Sequence, residues 1–232
     1  MAGFDLVIKN GRILDGCGNP WFRGDLAIQD GRIAAIGLPG SLHGKQNLDV
    51  KDHYIAPGFI DIHTHSDLSL LVNRKAESAV HQGVTTHLVG NCGMSPAPVR
   101  TEHLADMRTY WGEISTQPEV TWKWNTFNEY LETLRSTGTS INVASLAGHA
   151  ALRLAVMGFA NRPPTPPELT AMSALLEEAM QAGAFGLSTG LVYPPGCFAG
   201  TDEIISLCKT VAANGGFYAS HIGGERETTL EA

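Results

Sequence analysis

After Pro57, short apolar runs of strand length alternate with helix-patterned stretches, and this alternation limits the fold more than any other feature of the chain. The strand-like runs are Gly58 to His63, Thr85 to Gly90, Ile141 to Leu146, Phe185 to Ser188 and Gly216 to His221. Between them lie a helical stretch near Val72 to His81, a long polar insertion with helical character over 101–138, and helices over 167–183 and 201–213. In the 167–183 stretch, Leu169, Met172, Leu175, Leu176, Ala179 and Met180 fall at spacings of three and four, the period of one helix face. Thr165, ahead of Pro166-Pro167, either caps this helix or belongs to the preceding loop. Thr201 is expected as the N-cap of the next helix, with Asp202 and Glu203 in the first turn, where negative charge is favourable. Repeated strand–helix units imply a parallel sheet covered by helices.

Two α/β architectures fit that pattern. A doubly wound sheet would bind ligands at helix starts near a reversal of strand order, but the chain has no Gly-rich phosphate loop. Polar and metal-capable residues instead follow several different strands: His63 and His65, Asn91 and Cys92, His149, Ser188 and Thr189, and His221. A (β/α)8 barrel distributes its active face in this way. Five units, the last incomplete, do not close eight strands, so a barrel truncated after about five strands is expected. The remaining strands would come from a longer chain or from another chain completing the barrel. Left open, such a barrel exposes apolar faces and unpaired edges.

Residues 1–57 have a different texture. Short strands at 5–9, 25–28, 32–36 and 48–50 are separated by Asn10-Gly11, Asp15-Gly16 and Asp30-Gly31, dipeptides that mark tight turns. A small antiparallel β unit is expected there, with the barrel portion over 58–232. The net charge of -7, with no basic stripe, argues against a nucleic-acid partner. Neither a positively charged leader nor an apolar run of membrane-spanning length is present in the sequence, so no membrane partner is expected. Four cysteines in 232 residues do not make a disulfide scaffold, and a cytoplasmic protein with reduced thiols is the expectation.

The chemistry centres on Ile62-His63-Thr64-His65-Ser66-Asp67. Side chains at i and i+2 of a strand share a face, so His63 and His65 can reach one metal ion together. Cys92, among the glycines of Gly90-Asn91-Cys92-Gly93, reads either as a thiolate ligand of zinc or as a covalent nucleophile. His221, before Gly223-Gly224-Glu225, is either a further ligand or a hydrogen-bonded histidine of the interior. His149 can bind metal, touch substrate or bridge backbone groups, and Tyr193 on a Pro/Gly-shaped loop can hydrogen-bond a substrate carbonyl or carboxylate. Such a set supports metal-assisted hydrolysis, which also needs a carboxylate to move the proton of the attacking water. Asp67 and Glu225 are carboxylates in this region, but neither has the spacing of that base.

DLVIKNGRILDG, PGFIDIHTHSD, GNCGMSPAP, LAGHAALRLAVMG, GAFGLSTGLVYPPG and YASHIGGE together resemble the D-aminoacylase (N-acyl-D-amino-acid deacylase) family of the amidohydrolase superfamily, in its N-terminal portion. The resemblance implies a metal-dependent barrel and a small β-sandwich domain, the latter completed by a C-terminal segment. Cys92 and His221 then match ligands of a tightly bound Zn2+, and His63 and His65 match a second, weaker metal position. His149 and Tyr193 take supporting roles, and the catalytic aspartate is expected beyond residue 232. The implied substrate is a small-molecule N-acyl-D-amino acid. Where the family usually carries arginine, this chain has Gly223, and the guanidinium fork that could hold a carboxylate is missing. A dihydroorotase- or hydantoinase-like activity on cyclic amides is the alternative, and an inactive metal-binding fragment is another.

Overall fold

The computed structural model describes residues 3–51, 53–112 and 120–223. The chain divides into two compact units, Met1–Gly58 and Phe59–Ala232.

The first unit is a five-stranded sheet of β1 (Phe4–Ile13), β2 (Phe22–Gln29), β3 (Arg32–Gly37), β4 (Gly44–Asp49) and β5 (Tyr54–Ile55). Asp30 and Gly31 both have positive φ, 52° and 71°, the geometry of the tight hairpin turn expected between β2 and β3. Two expectations fail here. Asn10-Gly11 is not a turn but a bulge inside β1, where the register with β2 shifts between Ile8 and Gly11. Buried Asp25 explains this: its Oδ1 accepts from the Asn10 amide at 3.0 Å and its Oδ2 from Gly40 at 2.8 Å, so the carboxylate satisfies the bulge from within. The sheet is also mixed rather than antiparallel, because β4 and β5 both run parallel to β1.

The second unit holds β6 (Phe59–Asp61), β7 (Val84–Val89), β8 (Asn142–Ser145), β9 (Ala147–Gly148), β10 (Gly186–Gly190) and β11 (Phe217–His221). β6, β7 and β8 pair in parallel in chain order, and so do β9, β10 and β11. The segment of β8 and β9 changes partners at Leu146, whose amide donates to Val89 O at 2.9 Å, while Phe185 N donates to Ser145 O at 2.9 Å. One strand position thus passes from the β7 side to the β10 side. The pairing runs through the unit without the reversal that a doubly wound sheet requires.

Helices α1 (Ser69–Val72), α2 (Glu77–Val80), α3 (Leu104–Gly112), α4 (Phe127–Thr137), α5 (His149–Met157), α6 (Pro166–Ala182) and α7 (Thr201–Ala213) connect these strands. α6 buries Met172, Leu176, Ala179 and Met180, residues on the face that the periodicity marks. Thr165 does cap it: the Glu168 carboxylate accepts from the Thr165 amide at 2.7 Å and from its hydroxyl at 2.8 Å. The expected helix near 72–81 is two short helices, since Asn73 closes α1 and Ala76, at φ 46°, opens α2. At α7 the cap is Gly200 and not Thr201. Glu203 does not merely face the helix dipole; it is buried and bonded to Arg153. The insertion over 101–138 is less polar in space than in sequence, for Met107, Trp111, Trp124, Phe127 and Tyr130 are core residues. Trp111 and Trp124 keep their indole N–H groups satisfied on Ser95 O and Pro96 O, at 3.4 and 2.7 Å.

Candidate metal centre

β7 ends at Val89, and the chain then turns sharply through Gly90, Asn91, Cys92 and Gly93. Cys92 sits at φ 54°, a left-handed conformation that costs a residue with a Cβ. Two side chains from other segments, with one from the turn itself, hold it there. The buried Ser188 hydroxyl of β10 donates to Gly90 O and accepts from Gly93 N at 2.9 Å, spanning the turn. Asp67 Oδ1 accepts from Gly90 N at 2.8 Å, and Asn91 Nδ2 donates to Leu88 O at 2.8 Å. The surrounding glycines follow from how closely the backbones meet. A Cβ on Gly90 would lie 2.1 Å from Leu146 O, one on Gly148 2.4 Å from Gly93 O, and one on Gly190 2.3 Å from Cys92 O.

The four histidine and cysteine residues expected at the metal come together. His63, His65 and Cys92 each bring one donor atom within 4.8 Å of the others. Cys92 Sγ lies 3.2 Å from His63 Nε2 and 3.6 Å from His221 Nδ1, so the thiol links His63 to β11. The mechanism of that convergence differs from the expected strand face. β6 ends at Asp61, and the two histidines lie beyond it. The Asp61 carboxylate accepts from His63 N at 3.2 Å, and Thr64 N donates to Leu88 O at 3.2 Å, which fixes the histidine loop against β7. The rings then meet edge to face at 5.5 Å.

The donor set fits zinc. Burial, with the neighbouring His63 and His221, lowers the pKa of His65, favouring the neutral imidazole that coordinates a cation. Its Nδ1 is buried without a hydrogen-bond partner. Burial raises the pKa of the Cys92 thiol, which a bound cation would reverse by stabilising the thiolate. Two imidazoles and a thiol within one small volume are donors that zinc accepts readily.

Around the cluster, Tyr193 places its hydroxyl 3.5 Å from His221 Nε2, with the rings 5.1 Å apart. His149 is fully buried and bonds through Nε2 to Glu203 Oε1 at 2.8 Å, beside the two bonds from Arg153 Nη1 to the same carboxylate at 2.9 and 2.7 Å. This places His149 in a buried ionic network, outside the His63–His65–Cys92 group. Asp67 is also fully buried, and burial pushes its carboxyl up to about 7. Its bond to Gly90 makes it a support of the cysteine turn, a role that its spacing in the sequence does not reveal. Glu225 lies outside the described residues. A cavity of about 500 Å³ adjoins the cluster at His65 and Tyr193. A second hollow of about 560 Å³ is lined by Leu134, Ile141, Asn142 and Phe185, near the strand starts, and holds none of these residues.

Several known proteins are similar to this chain. The amidohydrolase family profile matches residues 46–203. A D-aminoacylase of Alcaligenes xylosoxydans xylosoxydans is 41% identical over 99% of this chain and 46% of its own length. An N-acyl-D-aspartate deacylase from the same organism is also 41% identical, over 100% of this chain and 46% of its own. The crystal structure of an N-acyl-D-glutamate deacylase from Bordetella bronchiseptica, complexed with zinc and a phosphonate inhibitor, superposes with a TM-score of 0.88 at 37% identity, covering 99% of this chain and 47% of that one. The chain therefore spans about half the length of these relatives. With the profile covering most of the sequence, the chain belongs to the amidohydrolase family.

Proposed function

We propose that the protein carrying this chain hydrolyses the amide bond of N-acyl-D-amino acids, releasing a carboxylate and a free D-amino acid. The convergence of His63, His65 and Cys92 within 4.8 Å, on a chain 41% identical to a D-aminoacylase, is the observation that carries this reading. In it, Cys92 and His221 hold a tight zinc, and His63 and His65 line a weaker adjacent position. Bound there, zinc supplies Lewis acidity to the amide carbonyl and lowers the pKa of a water molecule. The chain's own part is placement. Ser188 and Asp67 fix the turn that presents Cys92, and Tyr193 orients the His221 ring through Nε2 while Nδ1 faces the thiol.

No carboxylate joins the His63–His65–Cys92 group among the described residues. The base that passes the proton to the leaving nitrogen is assigned beyond residue 232, in the half of the relatives' length that this chain does not span. The in-order parallel strands are read as an arc of a (β/α)8 barrel. A cytoplasmic setting, which keeps Cys92 reduced, belongs to the same reading.

Metal analysis of the intact protein, with an assay of D-amino acid release from N-acetyl-D-amino acids, tests the assignment. Zinc is expected to co-purify and to fall below stoichiometric content in Cys92→Ala. Unchanged zinc in that variant overturns the ligand assignment, and absence of turnover on every N-acyl-D-amino acid overturns the activity.

A further inference from the structure

His87, in the middle of β7, stands outside the His63–His65–Cys92 group, yet its buried ring meets the loop that carries the histidine pair. Its Nδ1 lies 2.8 Å from Ser66 Oγ, and Ser66 Oγ lies 3.0 Å from Thr64 Oγ1. The Thr64 hydroxyl in turn donates to Leu88 O at 3.3 Å. A hydroxyl has a single proton to give, which orders the whole chain of bonds. Thr64 gives its proton to Leu88 O, Ser66 gives its own to Thr64, and Ser66 Oγ then accepts from an N–H at His87 Nδ1. Burial lowers the pKa of His87 against the opposing charge of Asp61, so the ring is neutral at neutral pH.

Successive residues of the loop meet different neighbours. His63 and His65 bring their donor atoms to Cys92, whereas Thr64 and Ser66 bond to Leu88 and His87 of β7. The ladder of β6 and β7 pairs Asp61 with His87, which puts the imidazole where the chain leaves the sheet. Asp61 holds the start of the loop through His63 N, and Asp67 ties its end to Gly90 N. Between those ends, the bonds of Thr64 and Ser66 to β7 set the path of the backbone.

We propose that His87 is a positioning residue for the metal centre: through Ser66 it holds the loop in the path that aims His63 and His65 at the weaker metal position. The proposal rests on the metal ligation read under the proposed function and deepens it. Ligands bind tightly when their supports fix them before the ion arrives, and the loss of such a support lowers metal affinity without removing a ligand. Because the chain of bonds runs to the histidine loop and not to the cysteine turn, the weaker position is the one that should respond.

Calorimetric titration of the intact, metal-stripped protein with zinc tests this and needs no turnover. In Ser66→Ala and in His87→Leu, affinity for the weaker zinc equivalent is expected to fall about tenfold or more, with the tighter equivalent moving less than about threefold. The double variant should lose no more than either single one, since both remove the same bond. His87→Asn, whose side-chain amide can supply the missing N–H donor, should recover most of the loss. An unchanged weaker equivalent in Ser66→Ala, equal losses at both equivalents, or a wild type that binds one zinc alone overturns the proposal. Hydrogen exchange over residues 62–66 of the metal-free protein separates the tether from the ligation it serves. If the wild type takes up no zinc, the ligation reading falls; faster exchange in Ser66→Ala then keeps the tether, and unchanged exchange overturns it too.

Discussion

Ser188 and Cys92 lie 96 positions apart in the chain, yet the hydroxyl of one closes the turn that carries the other. Replacing Ser188 by alanine leaves Gly90 O and Gly93 N without this partner in a buried place, which costs about 1–3 kcal/mol. Because Cys92 needs the turn to stay left-handed, the loss should also appear as weaker zinc retention. Urea unfolding and zinc content after dialysis against a competing chelator measure the two effects, and an unchanged zinc affinity would remove Ser188 from the support of the site. At this scale the sequence discloses candidate ligands better than their supports. His63, His65, Cys92 and His221 are chemically conspicuous, whereas a serine or a buried aspartate acquires its role only from the backbone it meets.

Among the elements, α5 and α7 are tied through one buried ionic network. His149 and Arg153 project from α5 onto Glu203 of α7, so one buried carboxylate joins the two helices. Burial opposes the charge on Glu203, but bonds from His149 and Arg153 outweigh it and lower its pKa. A carboxyl with a folded pKa below its unfolded one contributes stability that is complete above the usual value of 4.5 and is lost as pH falls through the lower folded value. Glu203→Gln should therefore destabilise the protein by about 3–5 kcal/mol at neutral pH, since Arg153 is left buried without its anion. It should also flatten the stability profile on the acid side of 4.5, measured by denaturant unfolding across pH. A variant with wild-type acid sensitivity would show that the network does not govern it. The periodicity of α6 and the length of α7 are plain in the sequence. The cap at Gly200 and the bulge at Asn10 are not, since both depend on which backbone groups already have partners.

For the molecule as a whole, the two outer strands of the second unit carry exposed apolar side chains. Phe59, Ile60 and Ile62, in and just after β6, are 62%, 64% and 70% exposed, and Tyr218 in β11 is 42% exposed. Apolar strand edges of this kind pair with further strands or self-associate. The 232-residue chain produced alone is expected to bind a hydrophobic dye, to associate in light scattering and to show no hydrolysis, while the intact protein does none of the first two. A monomeric, active 232-residue chain would overturn both the missing base and the barrel-arc reading. By itself the sequence determined the alternation of strands and helices, the change of texture near residue 57 and which histidines and cysteine are candidate donors, because periodicity and side-chain chemistry are local properties. The tertiary structure alone decided that the histidine pair leaves its strand, that Cys92 links His63 to His221, and that a cavity opens beside them. Those outcomes depend on backbone hydrogen bonds and close approaches between segments tens of residues apart, which no local pattern encodes.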